Sequence, residues 1–286
     1  MAFKKIQEYI STGDGLAGTL LIPKLIMPTL IEETDKNLLD RGLAAFVVSP
    51  AMIKGNTFEI NLETPDTGQV REVAEGAEVI LDAQAYETVT FTPVKYGMAI
   101  RITREMMEDS QFELLQRNIR MAGRRFAENE TKLILEQLEG ANSTTSGGAA
   151  ITIANITESM FDVEDADFIP TDFIVGNEVV QDLRNIDTFA EADKWGDATS
   201  FNRTGWIGRL YGMNVHRFST QAAPATTFRR NGYILDRSEA YAIAVKRDIS
   251  VENFTLPSYD MEGAVITQRI VVNLLRSKAV SRITTS

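Results

Sequence analysis

The sequence predicts an α+β protein in which strands outnumber helices and one helix is unusually long. Two runs of alternating polar and apolar residues, 57–65 and 86–103, enclose a polar, acidic span, and such alternation is typical of half-buried strands. Apolar residues at helical spacing then recur between 111 and 139, and strands separated by turn signals follow from 206 onward. These patterns indicate sheets packed beneath a long helix.

The composition limits the classes of function. The chain has 286 residues, of which 44% are hydrophobic and 24% charged, as in a folded protein of one large or two ordinary domains. The net charge of −11 argues against a protein that coats nucleic acid, because phosphate binding needs clustered Lys and Arg. Because the chain has no cysteine, disulfides, thiolate nucleophiles and Cys-ligated zinc are excluded.

The first 55 residues are predicted to form an arm with small pieces of structure. Two prolines keep 18–28 extended, a short helix is predicted over 29–42, and a strand over 44–50. The apolar run LAGTLLIPKLIMPTLI (16–31) is interrupted by both prolines and a lysine. It lacks the length and continuity of a membrane span, so we expect no membrane partner.

The two alternating runs predict one long hairpin, which we place over 56–94. Its polar middle, 66–79, contains glycines and several glutamates. An isolated hairpin is only marginally stable in water. We therefore expect this one to dock on something else, and the hypothesis for its tip, 66–82, is contact with a neighbouring subunit.

The long helix is predicted over 111–139, with a capping box formed by Ser110 and Glu113 and a stop at Gly140. One face is expected to be core; it carries Leu115, Ile119, Ala122, Phe126, Asn129 and Leu133.

The opposite face of this helix is basic and then acidic. It carries Arg117, Arg120, Arg124 and Arg125, followed by Glu128, Glu130 and Glu136. A basic face can bind nucleic acid, but the close succession of glutamates favours a solvated or intersubunit salt-bridged face.

A second region is predicted to begin after the small-residue loop 141–150. A strand at 173–175 is followed by Asn177 as N-cap of a helix that buries Val180, Leu183 and Ile186. The segment 189–205 is a long loop. The later strands are expected within 206–219, 232–238, 239–254 and 265–284, with a turn-rich loop at 256–263. We expect the terminal strand to pair with 86–103 beneath the long helix.

Glutamates 72, 75 and 78 are the strongest candidate for a catalytic site. On a helix, this spacing would place Glu72, Glu75 and Glu78 on one face, where carboxylates can act as general acid and base. Gly76, the strand pattern on both sides and the lack of nearby His, Cys or Lys weaken that interpretation. The phosphate-loop, nucleophile-elbow and dinucleotide motifs are missing from the sequence. We therefore predict a protein that is not an enzyme and has no cofactor.

The only histidine, His216, excludes a histidine-based metal cluster, and a Ser-His-Asp triad would have to use it. Its β-rich surroundings favour an ordinary strand histidine. The acidic run DVEDAD (162–167) offers oxygen ligands for a divalent ion. A solvated loop is the preferred interpretation, so no metal is expected.

The order of these segments resembles the HK97-type major capsid proteins of tailed phages over most of the chain. GTLLIP and the short helix after it are similar to that family's N-terminal arm, and the hairpin with VAEGAEV, followed by FTPVKYGMAIRITREMMEDS, is similar to its extended loop. GRLYGMNVHRFS resembles a hairpin of the axial domain, and RIVVNLLRSKAVSRIT resembles the closing peripheral strand. The combination in this order carries the resemblance.

The resemblance implies an HK97-like fold in five segments. These are an N-terminal arm (1–55), an extended hairpin loop (56–94), a peripheral domain with a spine helix (95–148), an axial domain (149–255) and return strands of the peripheral domain (256–286). It also implies intersubunit contacts, which we assign to Arg71, Glu72, Glu75, Glu78, Tyr259 and Asp260.

The function implied is self-assembly into an icosahedral shell around a double-stranded DNA genome. The expected partners are further copies in pentamers and hexamers, portal and scaffolding proteins, and packaged DNA contacted weakly and without sequence specificity. The expected location is the virion capsid, after assembly in the host cytoplasm. Scaffolding is expected to be separate or unnecessary, because the arm pattern begins within twenty residues of Met1.

Some members of that family crosslink subunits through a lysine of the extended loop. This chain has no lysine between Lys54 and Lys95, so we expect noncovalent contacts. Three alternatives remain: an encapsulin-type compartment with the same fold, an enzyme with a carboxylate site at the hairpin tip, and a tail or adaptor component that forms rings or tubes.

Overall fold

The described part of the molecule has two large sheets, one long helix that packs on both of them, and a separate two-stranded sheet. The computed structural model describes residues 39, 41–53, 55–64, 70–76, 78–79, 85–103, 105, 113–146, 148, 150–185, 206–218 and 226–285. The predicted helix over 29–42 lies almost wholly outside these residues, and its end, Arg41–Leu43, is a short 3₁₀ turn. Ser110 of the predicted capping box and the loop 189–205 also lie outside them.

The strands and α-helices are numbered along the chain. The strands are β1 (Phe46–Val48), β2 (Phe58–Glu63), β3 (Tyr86–Phe91), β4 (Val94–Thr103), β5 (Ser143–Ser146), β6 (Asp172–Val175), β7 (Trp206–Leu210), β8 (Met213–Arg217), β9 (Gly232–Leu235), β10 (Tyr241–Leu256), β11 (Met261–Leu274) and β12 (Val280–Thr284). The helices are α1 (Glu113–Leu138), α2 (Ile153–Glu164) and α3 (Asn177–Arg184).

The central sheet has four strands in the order β1-β10-β11-β4. Strands β10 and β11 form its long antiparallel hairpin, β4 pairs antiparallel with β11, and β1 runs parallel to β10. The pairing predicted between the terminal region and 86–103 is confirmed, with Met261 opposite Thr103 and Ile270 opposite Val94.

The single strand predicted over 86–103 is wrong, because the chain divides there into β3 and β4. Pro93 stands in the gap, and proline cannot donate to a strand ladder. Strand β3 pairs with β2 in a separate two-stranded sheet, and β4 enters the central sheet. The predicted hairpin itself is confirmed, with Phe58 opposite Phe91 and Glu63 opposite Tyr86.

The second sheet has six strands in the order β5-β12-β9-β6-β8-β7. Strand β12 pairs with β9 and β5. The run 265–284 therefore contributes β11 to the central sheet and β12 to the six-stranded sheet. The five predicted segments stay a prediction.

Helix α1 packs against both sheets, and its long extent agrees with the sequence. Ala122 and Phe126 cover Ile100, Ile249 and Ile266 of the central sheet. Two turns further along, Ile134, Leu135 and Leu138 pack with Ile174 and Leu235 of the six-stranded sheet. Apolar burial of this kind is the main source of its stability.

The predicted core stripe of α1 is only partly correct. Ala122 and Phe126 are buried, but Asn129 and Leu133 lie at the edge of the buried face. Glu130, predicted on the charged face, is 1% exposed. Arg120, Arg124 and Arg125 are exposed, as the solvated-face interpretation requires.

The two shorter helices cover the six-stranded sheet. Thr152 caps α2, with its side chain accepting from the Asn155 backbone N–H. The predicted N-cap of α3 is wrong: Gly176 occupies the cap position without a side-chain bond, and Asn177 is the first helical residue. Val180 and Leu183 are buried as predicted, while Ile186 lies outside the described residues.

Strands β7 and β8 meet at a two-residue turn, so the predicted segment 206–219 is a hairpin. Tyr211 and Gly212 both have positive φ, at 49° and 87°. This combination matches the right-handed twist of a two-residue hairpin, and glycine adopts such angles without strain. None of the helices among the described residues has the length and apolar character needed to cross a bilayer.

Candidate intersubunit contact sites

The base of the β2–β3 hairpin packs on the central sheet, on the side away from α1. Phe91 is fully buried, and its ring centre lies 6.3 Å from that of Phe58. Both belong to an apolar cluster with Val271 and Leu275. The hairpin is therefore held partly by its own subunit, which the sequence did not predict.

The hairpin tip is exposed. Among its described residues, Glu72, Glu75 and Glu78 are all open to solvent. Val70 and Val79, which flank them, are 106% and 67% exposed. Side chains this open to solvent bury little apolar surface within their own subunit, so they add little to its stability.

The tip does not form the helix that a carboxylate pair would need. Residues 71–74 are irregular, and a turn follows at Glu75 and Gly76, where Gly76 has φ of 82°. The three glutamates therefore do not share a helix face. Arg71, the remaining predicted contact residue of the tip, is also exposed.

The other predicted contact residues, Tyr259 and Asp260, form the turn between β10 and β11. A short 3₁₀ turn, Pro257–Tyr259, leads into Asp260, which has the left-handed φ of 48°. Tyr259 is 69% exposed and Leu256 is 42% exposed. The predicted contact residues thus lie on two separate projections, one between β2 and β3 and the other between β10 and β11.

Basic residues line one row of the central sheet. Arg247, Arg269 and Lys95 stand opposite one another on β10, β11 and β4. Lys95 and Arg247 are exposed. Like charges directly opposite in a sheet are destabilising, so this row favours an anionic group laid across it. The long sequence separation of the three residues hid this row from sequence analysis.

A buried polar network lies in the six-stranded sheet, and the sequence did not reveal it. The Asp172 carboxylate is fully buried. Arg237 donates to both of its oxygens, at 2.9 and 3.1 Å, and Thr171 donates at 2.9 Å. His216 Nε2 lies 3.0 Å from Asp172 Oδ1. The predicted strand location of His216 is confirmed, but its side chain belongs to an ionic network.

This network governs the charge of Asp172. Burial raises the pKa of the Asp172 carboxyl, but the hydrogen bonds from His216, Arg237 and Thr171 outweigh burial and lower the pKa below its ordinary value. The carboxylate is therefore an anchor that joins the start of β6 to β8 and to the turn after β9. The only sequence signal was a charged residue at the start of the apolar run FIV.

A second buried carboxylate ties the N-terminal segment to α1. Arg41 donates to both oxygens of Glu130, at 2.6 and 2.8 Å, and the Leu39 N–H reaches Thr131 Oγ1 at 3.4 Å. Glu130 is thus a structural partner of Arg41 and not part of a solvated face.

The acidic run 162–167 is not wholly the loop that the sequence favoured, because its first three residues belong to α2, which ends at Glu164. Among the described residues, no group of three or more His, Asp or Glu side chains has an arrangement that could hold a metal ion. Asp162 instead accepts hydrogen bonds from Ser143 and Ser281, which lie on β5 and β12.

Comparison with known proteins identifies the family. A family model described as phage capsid protein matches residues 86–260, more than half of the chain. This protein belongs to the phage capsid protein family. The match runs from β3 to the turn with Tyr259, and so includes α1 and some of the strands of each large sheet. A search of curated protein sequences gave no match.

Solved structures share the fold at low sequence identity. A chain from Mycobacterium phage Bobi aligns with a TM-score of 0.64 and 17% identity, covering 88% of this chain and 91% of that chain. A chain from the bacteriophage PhiM1 mature capsid gives 0.64 at 10% identity, over 87% of each chain. A chain from the capsid of a native GTA particle gives 0.63 at 14% identity, over 87% of this chain and 91% of that chain.

These similarities confirm the predicted α+β, HK97-like capsid fold. Family membership gives the chain a structural role in a phage capsid and favours this interpretation over the encapsulin alternative. The protein is therefore a capsid shell protein that associates with further copies of itself, and it is located in the virion capsid.

Proposed function

We propose that this protein is the major subunit of a closed icosahedral shell that encloses a double-stranded DNA genome, with the hairpin tip as a principal contact between neighbouring subunits. The observation that carries the proposal is the exposed cluster of valines and glutamates at 70–79, on a hairpin whose base is packed. The similar chains from phage and GTA capsids support the closed shell, since each aligns with 87% of this chain.

The remaining parts of this function follow from the shell and the charge. Pentamers and hexamers are the units from which a closed icosahedral shell is made, and we propose a role that is structural and not enzymatic. Portal and scaffolding proteins are proposed partners, with assembly in the host cytoplasm. A net charge of −11 supports weak, non-specific contact with packaged DNA, because few phosphates would be neutralised.

The sheet offers a surface that complements the acidic tip. Lys95 and Arg247 are exposed in one row of the central sheet. An acidic tip from a neighbour laid across this row would relieve the repulsion within it. Charge complementarity of this kind selects partners and orientation more than it adds affinity, as a repeating shell requires.

Charge reversal and rescue test the proposal. Glu72→Lys/Glu75→Lys/Glu78→Lys should fold but fail to form closed particles, as seen by electron microscopy and light scattering. Adding Lys95→Glu/Arg247→Glu to the same chain should restore closed particles, since the two surfaces again carry opposite charges.

A matched control changes the same charge elsewhere. Glu158, Glu164 and Asp165 are exposed on and just after α2, and Glu158→Lys/Glu164→Lys/Asp165→Lys should assemble like the wild type. Normal closed particles from the reversed tip would contradict the contact. A wild-type protein that stays monomeric in all salt and pH conditions would contradict the shell.

A further inference from the structure

One side chain of β11 holds both chain segments at the base of the β2–β3 hairpin, the segment that enters β2 and the segment that leaves β3. The Arg269 guanidinium donates to Asn56 Oδ1 at 3.3 Å, just before β2, and to the Pro93 carbonyl at 3.2 Å, just after β3. One planar group therefore fixes the separation of the entering and leaving chain, as a forked donor can do.

Two further side chains hold the strands themselves. Asn273 Nδ2 donates to the Thr90 carbonyl on β3 at 2.7 Å. Arg276 donates to the Glu63 carbonyl at the end of β2 at 3.0 Å. Arg269 therefore holds the base of the hairpin, Asn273 holds β3 and Arg276 holds β2.

Backbone hydrogen bonds between strands do not set the direction of the hairpin relative to the central sheet. The hairpin forms its own two-stranded sheet and shares no strand ladder with the central sheet. Its covalent link to the central sheet is short, since β3 ends at Phe91 and β4 begins at Val94. Apolar contacts around Phe91 hold the hairpin against the sheet, but such contacts are non-directional. The direction of the hairpin therefore depends on polar anchors.

Arg276 is itself fixed from the other side. Its Nε lies 2.9 Å from Glu239 Oε2, and its guanidinium lies 6.0 Å from the centre of the Phe168 ring. Glu239 follows β9 and Phe168 precedes β6, so both belong to the region of the six-stranded sheet. The Arg276 side chain thus relates the hairpin to the second sheet.

We propose that Arg269, Asn273 and Arg276 set the angle at which the hairpin leaves its subunit, and through it the curvature of the assembled shell. The proposal rests on the proposed function, in which the hairpin tip contacts a neighbour. The three donors act as positioning residues, through their hydrogen bonds to the hairpin of their own subunit.

The hairpin is long enough that a small change of its angle at the base displaces its far end by several ångströms. A six-residue strand spans about 20 Å, so a tilt of roughly 10° at the base moves its far end by about 3 Å. A displacement of that size breaks hydrogen bonds and close ion pairs, which require well-defined distances. Asn273 and Arg276 donate to backbone carbonyls, so these two hydrogen bonds do not depend on the side chains of β2 and β3.

The test removes the hydrogen bonds from Asn273 and Arg276 and keeps those from Arg269 at the base of the hairpin. Asn273→Ala/Arg276→Met is compared with Asn273→Ala alone and with Lys278→Met, a nearby exposed residue whose substitution makes the same charge change as Arg276→Met. Hydrogen exchange of β2 and β3 is measured in the unassembled subunits, and particle diameters are measured by electron microscopy.

We expect at least tenfold faster exchange in β2 and β3 of the double variant, and particles with a broad range of diameters or open sheets. Asn273→Ala alone should show a smaller shift of the same kind, and Lys278→Met should match the wild type. Wild-type exchange, or uniform wild-type particles from the double variant, would overturn the proposal. Failure of the wild type to form shells would instead contradict the proposed function, and exchange in the free subunit would still decide the anchoring.

Discussion

The base and the tip of the β2–β3 hairpin differ in how far their side chains are buried within their own subunit. At the base, Phe91 is fully buried and Phe58 packs beside it. At the tip, Val70 and Val79 are exposed among three exposed glutamates. The base is packed within the folded subunit, whereas the tip is the part that we propose to lie on a neighbouring subunit.

The same difference separates the carboxylates of the molecule. Asp172 and Glu130 are buried, and each accepts two hydrogen bonds from an arginine. Glu72, Glu75 and Glu78 are exposed. Carboxylates paired within the chain contribute to the free energy of unfolding, whereas those at the tip are available to a second chain. Substitutions should therefore affect either folding or assembly according to position.

The largest effect is expected at the hairpin base. Phe91→Ala should lower the free energy of unfolding by about 3–5 kcal/mol, because it removes a buried ring and leaves a cavity. Val70→Ala at the tip should change it by less than about 0.5 kcal/mol. Denaturant unfolding of the unassembled subunits measures both, and equal effects would contradict the division between base and tip.

The next effect is expected at the buried carboxylate. Asp172→Asn should lower the free energy of unfolding by about 2–3 kcal/mol, because Arg237 and His216 lose their anionic partner. The exposed Glu158→Gln serves as the control and should be neutral. Unchanged stability of Asp172→Asn would mean that the network does not stabilise the six-stranded sheet.

Acid should weaken the same network. Because the folded-state pKa of Asp172 is lowered below its ordinary value, the network stabilises the fold above that ordinary value and loses its contribution as pH falls through the folded-state pKa. The difference in stability between wild type and Asp172→Asn should be largest near neutral pH and shrink below about pH 4. Denaturant midpoints between pH 7 and 3 measure this, and a pH-independent difference would contradict it.

The smallest effect on folding is expected at the tip. Glu72→Gln/Glu75→Gln/Glu78→Gln should change the free energy of unfolding of the subunit by less than about 0.5 kcal/mol, since exposed charges contribute little. It should nevertheless slow particle formation, followed by light scattering. A lower free energy of unfolding together with normal particle formation would contradict the assignment of the tip as a contact.

Sequence periodicity predicted the elements whose burial follows a simple pattern. The 26-residue α1, the hairpin and the β4–β11 pairing all follow from runs of alternating or helically spaced residues. The division at Pro93 was missed because both sides of it carry strand patterns. The Asn177 cap was misplaced by one residue, since Gly176 satisfies the same backbone requirement.

Long-range polar pairing could not be predicted from one sequence. Glu130 has the charge and spacing of a solvated position, and only the approach of Arg41, 89 residues earlier, makes it a buried one. Asp172 and Arg237 are likewise brought together by the sheet order. The contact at the tip was predicted from the length of the hairpin and from the resemblance to the capsid family, and it stays a prediction.

Hydrogen exchange measured on both free subunits and assembled particles shows directly whether the hairpin tip lies on a neighbouring subunit. The amides of β2 and β3 should be protected to a similar degree in both states, because the base is packed within one subunit. The amides of 70–76 should exchange rapidly in the free subunit and become protected on assembly. Equally rapid exchange of 70–76 in closed particles would contradict the claim that the tip lies on a neighbouring subunit.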